Sequence, residues 1–275
     1  MSGVPDGVRL GELLHRTGKS VVHAGTTDAG EPVVVKTITT DEPYWVRCRA
    51  RELATCAAFA ERPPGFVAPR VRYADERTTV YARLPGVRLH DRRHLDADLP
   101  PATVAAVRAA VRAVAAWSPP GGTAWSALDG DPAPDPSATI AAEHANGLLS
   151  DGERDALHRL ADRLGPARAF AHGDPIPTNI LLHDGAAVLV DWELSGPRLP
   201  GYDWAVLFVT GAAASPALAA AVLAETDRAE LRDAFTVNLG LLLCREIRIH
   251  RDLPAPAGLD RLRALWRRRL TAGGS

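Results

Sequence analysis

The chain is poor in lysine. Of its 32 basic residues only Lys19 and Lys36 are lysines, and all the others are arginines. Cysteine is scarce too. Cys48, Cys56 and Cys244 are odd in number and lack paired spacing, which excludes a disulfide framework and a cysteine zinc motif. Cys48 and Cys56 fall on one predicted helix and read as small core or boundary residues. The nine histidines are scattered without an H-E-x-x-H pattern, so no structural zinc is expected. No apolar run approaches the ~20 residues that span a bilayer. The first residues lack a basic segment followed by an apolar one, so no signal peptide is expected, and the reading is a cytoplasmic protein without a membrane partner. A net charge of −1 offers no general attraction to nucleic acid.

What is present is ordinary globular material. The 275 residues, 46% hydrophobic and 24% charged, suffice for one large domain or two lobes. The first third reads as β-rich, with strands at 8–14, 20–25 and through "PVVVKTI" to Ile38. Asp41 is the expected cap of a helix with Pro43 in its first turn, and Val46, Ala50, Leu53 and Ala57 its buried stripe. Strands near 67–73 and 78–84 follow, and Leu84-Pro85-Gly86 marks the lobe boundary. Beyond it the pattern turns helical. Val104, Val107, Val111 and Val114 stripe a helix over 101–117. A Pro/Gly/Asp-rich loop follows, Ser137 is the expected cap of the next helix, and Ser150 with Glu153 forms a capping box for the one after. Further helices are expected at 202–214, 216–225, 228–250 and 258–270.

One stretch carries chemistry: "FAHGDPIPTNILLHDGAAVLVDWE", residues 170–193. A short apolar run delivers Asp174 into a turn, Asn179 follows, and a predicted hairpin delivers Asp191. Phosphoryl transfer from a nucleotide needs a carboxylate to orient the attacking hydroxyl and take its proton, and oxygen ligands for magnesium on the phosphates. Asp174 fits the first need; Asn179 and Asp191 fit the second. Pro175 and Pro177 stiffen the loop, which favours a base positioned before the acceptor arrives. Arg16-Thr17-Gly18-Lys19-Ser20 is not a Walker A motif. Position 13 is Leu instead of Gly, and strands flank the segment. It reads as a turn over the phosphates, where Gly18 permits backbone approach and Thr17, Lys19 and Ser20 supply donors.

The order D-x-x-x-x-N and then a strand-borne Asp resembles that of protein kinases. With Gly173 before Asp174 and Trp192-Glu193 after Asp191, the chain resembles the aminoglycoside phosphotransferase family of small-molecule kinases. The resemblance implies an α+β, bilobal protein-kinase-like fold, with residues 1–84 as the nucleotide-binding lobe and 85–275 as the catalytic and substrate-binding lobe. It implies ATP as donor, GTP being possible, with Mg2+. Lys36 resembles the lysine on the α/β-phosphates and Glu52 its helix partner. The segment 81–89 resembles the hinge, where backbone groups of Ala82 and Leu84 would hold adenine. His172 supports the loop from beneath, and Asp203 resembles the aspartate that braces it through its backbone.

Only "LSGPRLPGY" separates Glu193 from Asp203, and no A-P-E follows, so a protein substrate has no evident platform. A small hydroxyl compound is expected, an aminoglycoside or other antibiotic by resemblance, or a metabolite of the choline or homoserine type. A protein-directed kinase and a non-catalytic kinase-like module are the rivals. A metal-dependent hydrolase has too few histidine ligands. The acidic residues of 129–155 would suit a polycation if they lined a cleft, and a solvated face is the alternative.

Overall fold

The structure, a computed structural model, describes residues 4–121, 135–165, 168–250 and 258–272. Strands β1 (Val8–Arg16), β2 (Ser20–Thr27), β3 (Pro32–Ile38), β4 (Val71–Ala74) and β5 (Thr78–Ala82) form an antiparallel sheet in the order β1-β2-β3-β5-β4. The alternation of side chains along a strand sorts β3 by face. Val33 and Val35 pack with Val80 into a small core, while Lys36 sits on the opposite face with Val34.

Helix α1 (Pro43–Glu61) links β3 to β4. Two expectations fail here. Its N-cap is Glu42, without a side-chain cap, and Asp41 pairs with Arg77 instead. The buried face is not the Val46–Ala57 stripe. Val46 is 46% exposed, and the helix buries Cys48, Glu52, Thr55 and Phe59. The ion pair between Glu52 and Lys36 turns a charged residue inward, and an apolar one is left in solvent.

The rest of the chain wraps a large core. Strands β6 (Val87–Arg88), β8 (Ile180–His183) and β9 (Ala186–Leu189) form one small sheet, and β7 (Ala169–Ala171) pairs with β10 (Gly196–Arg198) in another. Around them lie α2 (Pro101–Ala116), α3 (Pro136–Ala145), α4 (Asp151–Leu164), α5 (Tyr202–Gly211), α6 (Pro216–Thr226), α7 (Ala229–Ile249) and α8 (Leu259–Ala272). The valine stripe of α2 is buried as expected, and the Ser150–Glu153 capping box is present. The cap of α3 is Asp135, which accepts the Ser137 N–H. Pro136 occupies the first helical position, where its missing N–H costs nothing, and this moves the cap back to Asp135. Most of the Pro/Gly/Asp-rich loop lies outside the described residues. No described helix is long and apolar enough to cross a membrane.

The two parts meet through α1. Phe59 packs edge-on against Phe66, Trp117 and Trp192, and Trp192 stacks on Phe66 and Phe170. The buried Thr55 hydroxyl lies 2.8 Å from that of Ser195. This contact ties the helix that bears Glu52 to the turn that bears Asp191.

Candidate active site

The loop after β7 is built on its backbone. Gly173 has φ +86°, and a Cβ there would meet the Leu194 carbonyl oxygen at 2.1 Å, so only glycine fits. The Asp203 carboxylate, at the start of α5, accepts the N–H groups of His172 at 2.7 Å and Gly173 at 2.9 Å. Burial pushes this carboxyl up to about 6, against the pull of those two bonds. His172 is completely buried. Its Nε2 donates to the Val190 carbonyl at 3.0 Å, and its Nδ1 accepts the Asp174 N–H at 3.3 Å. Those two bonds require the neutral ring. Burial brings the ring down to about 4.

Asp174 thus leaves the loop with its backbone fixed. Asn179 donates to its carbonyl at 3.0 Å and approaches its Oδ2 at 3.4 Å. Burial raises the Asp174 carboxyl, opposed by Arg93 and Arg245 and reinforced by Asp191 and Glu193. Asp191 stands at the end of β9 with φ +66°, a left-handed conformation that costs a non-glycine residue about 1–3 kcal/mol. Strain of this kind persists where surrounding contacts impose it, and here Lys36 supplies one.

Lys36 Nζ donates to Asp191 Oδ1 at 2.6 Å, Glu52 Oε2 at 2.8 Å and Glu193 Oε2 at 3.1 Å. Burial works against its charge, yet Asp191, Glu52 and Glu193 hold its pKa well above the ordinary lysine value. Glu193 also accepts from Lys19, whose ammonium lies 4.1 Å from the centre of the Trp45 ring. Both lysines of the chain therefore end on one glutamate. Three carboxylates face two ammoniums, which leaves the cluster one charge negative and suited to a cation. Asp191 keeps a second oxygen, and its side chain is 34% exposed. With the Asn179 amide nitrogen spent on Asp174, its oxygen faces no such demand. Hard oxygen donors of this kind fit Mg2+.

The turn at 17–20 is a β-hairpin turn, as expected, closed by Thr17 N–H to the Ser20 carbonyl at 2.9 Å. Gly18 is open, with nothing within 4 Å of a Cβ. The expected outward donors are engaged. Ser20 is buried against Thr17, and Lys19 reaches Glu193. At 81–89 the Ala82 N–H is already donated to the Arg70 carbonyl at 2.9 Å, while Leu84 is half-buried beyond the strand end.

Four participants went unseen in the sequence. Glu193 was legible only as half of Trp-Glu, although two solitary lysines were a hint that one acid holds both. Arg93 Nη1 lies 3.8 Å and Arg245 Nη2 3.9 Å from Asp174 Oδ1. Glu246, fully buried on α7, accepts two bonds from Arg93, at 2.7 and 3.2 Å. Burial would raise Glu246, but His94 and Arg93 hold it well below the carboxylate range. His94 and His250 approach the same carboxylate; His250 stands at i+4 from Glu246, whereas His94 comes from a distant segment. Both of its oxygens already serve the Arg93 guanidinium.

The profile of the phosphotransferase enzyme family (APH) matches residues 13–235. No curated protein matches the sequence. Among solved structures, the chain is similar to the GDP and kanamycin complex of APH(2")-IIia, with TM-score 0.60 and 15% identity over 98% of this chain and 95% of that one. It is similar to a thermostable mutant of APH(4)-Ia in ternary complex with AMP-PNP and hygromycin B, with TM-score 0.60 and 16% identity over 96% and 93%. It is also similar to macrolide 2'-phosphotransferase MphH from Brachybacterium faecium, with TM-score 0.61 and 15% identity over 94% and 91%. The likeness is one of fold, and that fold is the α+β kinase-like arrangement expected from the order of the motifs.

Proposed function

The chain belongs to the phosphotransferase enzyme family (APH), and from that premise we propose that it transfers the γ-phosphoryl group of ATP to a hydroxyl of a small molecule. The observation that carries the proposal is the 2.6 Å contact of Lys36 with Asp191, residues 155 positions apart, beside a loop that holds Asp174 and Asn179 within bonding distance of each other.

In this reading the acceptor hydroxyl attacks the γ-phosphorus, its proton passes to an Asp174 oxygen, and the bond to ADP breaks. The raised pKa of Asp174 suits a proton acceptor. Lys36, oriented by Glu52, binds the α/β-phosphates once nucleotide displaces part of its carboxylate shell. Asn179 and Asp191 hold Mg2+, which supplies charge neutralisation at the phosphates. The open Gly18 turn covers the phosphates, with Ser20 fixing the turn from within and Lys19 released from Glu193. The donor to adenine falls to Leu84, because the Ala82 N–H is occupied and only its carbonyl remains. His172 and Asp203 hold the loop. Residues 1–84 serve as the nucleotide lobe and 85–275 as the catalytic lobe.

The names of the similar structures make an aminoglycoside or another antibiotic one candidate acceptor. A hydroxylated metabolite is the second, and Arg93 and Arg245 favour it, since two guanidiniums beside the base repel a polycation. The test is a panel of hydroxylated compounds with ATP or GTP and Mg2+, read as a mass gain of one phosphate. Asp174→Asn is expected to keep nucleotide affinity and lose about 10²–10⁴-fold in kcat. Transfer by Asp174→Asn at the wild-type rate refutes the assignment.

A further inference from the structure

The described acids of 129–155 each engage a partner within the chain. Of the acidic residues in 129–155, Asp129 and Asp131 lie outside the described residues. Asp135 caps α3, Glu143 pairs with Arg248 at 3.0 Å, and Asp151 meets His144 at 3.0 Å and Arg154 at 3.1 Å. Asp155 meets Arg154 at 2.8 Å, and Glu153 accepts from Ser150 and Arg267. Between α3, α5 and α7 lies a cavity of about 170 Å³. Arg168, Arg198, Arg245 and Arg248 line it, with Tyr202; Glu143 is the one acid on its described wall, and Arg248 already engages it.

Two of these guanidiniums, Arg198 and Arg245, are under-used among the described residues. Arg245 has its closest carboxylates at 3.5 Å in Glu246 and 3.9 Å in Asp174, and Glu246 is already taken twice by Arg93. Arg198 donates to the neutral carbonyl of Leu194 at 3.0 Å and, among the described residues, has no ion pair. Among the described residues, the Nε atoms of both are buried without an acceptor. Buried guanidinium donors left unsatisfied beside one arginine-lined cavity point to a ligand that accepts from them. A guanidinium fork matches carboxylate and phosphate oxygens. The volume is below the ~300 Å³ where whole-ligand pockets begin, so it suits one head group.

We propose that this cavity binds an anionic group of the acceptor, a carboxylate or a phosphate, and that the substrate is a hydroxylated anion. This rests on the phosphotransferase reading. Arg245 belongs both to the cavity wall and to the surroundings of Asp174, so the hydroxyl that reacts lies a few bonds from the anion.

The test is isothermal titration of the full chain saturated with AMP-PNP and Mg2+, using gluconate, glucose 6-phosphate and kanamycin as probes. At least one anion is expected to bind more tightly than kanamycin. Its Kd should weaken tenfold or more in Arg198→Gln, with AMP-PNP affinity unchanged as the check on folding. The two anionic arms separate a carboxylate site from a phosphate site. Binding of neither anion, tighter binding of kanamycin, or an unaltered Kd in Arg198→Gln overturns the proposal. Because the readout is binding without turnover, it is separable from the catalytic reading. A chain that phosphorylates kanamycin loses only the anion pocket. A chain that binds gluconate or glucose 6-phosphate but no nucleotide keeps the pocket and loses the kinase.

Discussion

His172 illustrates how one buried side chain ties the Asp174 loop to stability. The fold keeps its ring neutral between the Val190 carbonyl and the Asp174 N–H, with a pKa of about 4 against 6.5 when unfolded. Between those values the unfolded chain binds the proton first, so stability is lost as pH falls from 6.5 to 4, by about 3 kcal/mol at the lower end. Asp203, raised to about 6 by burial, acts in the opposite sense, because there the folded state takes the proton first. The contribution of His172 is therefore read as a difference. His172→Gln should lose less stability than the wild type as pH drops across this window. Urea-unfolding midpoints taken at half-unit steps check it, and parallel curves for the two proteins would refute it.

At the scale of elements, the β7 turn depends on one glycine and one helix start. Gly173 combines a positive φ with a backbone approach to Leu194 that leaves no room for a methyl group, and its N–H is one of the two that Asp203 receives. Gly173→Ala should cost well over ~1 kcal/mol, the scale expected for a positive φ alone, because the backbone must also move. The same displacement should lower kcat at least tenfold. Gly147→Ala is the control. Its φ is +72° in open space, so only the smaller cost applies, with kcat unchanged. Chemical denaturation and steady-state rates compare the two, and equal losses would mean the clash at Leu194 is relieved cheaply. Helix α1 shows the converse lesson. Its first turn was readable from Pro43, but its buried face was not, since a distant lysine determines which side turns inward.

For the molecule as a whole, the two parts are joined by the aromatic cluster around Phe59 and Trp192 and by the carboxylates around Lys36. A nucleotide that bridges the same groups should stabilise the whole chain. AMP-PNP with Mg2+ at a hundred times its Kd is expected to add about 2.7 kcal/mol. Each kcal/mol is worth about 2–4 °C in a domain of this size class, so Tm should rise by several degrees. Chelation with EDTA should remove most of the rise if Asp191 and Asn179 form the proposed Mg2+ site. Calorimetry at fixed nucleotide decides the point, and an equal shift with and without chelator would count against the metal assignment.

The local sequence determined the elements and the loop that bears Asp174. Asp174, Asn179 and Asp191 sit within eighteen positions of one another (by their numbering), joined by a hairpin, and turn chemistry and strand pattern over so short a span are visible without a fold. Caps were legible to within one or two residues for the same reason. The tertiary structure alone decided what crosses long separations. Lys36 reaches Asp191, Glu193 gathers both lysines, and Arg93 and Arg245 flank Asp174. Charge on a long side chain carries no periodic signal, and its partner is chosen by how the helices pack, so the arginine-lined cavity emerges only in three dimensions.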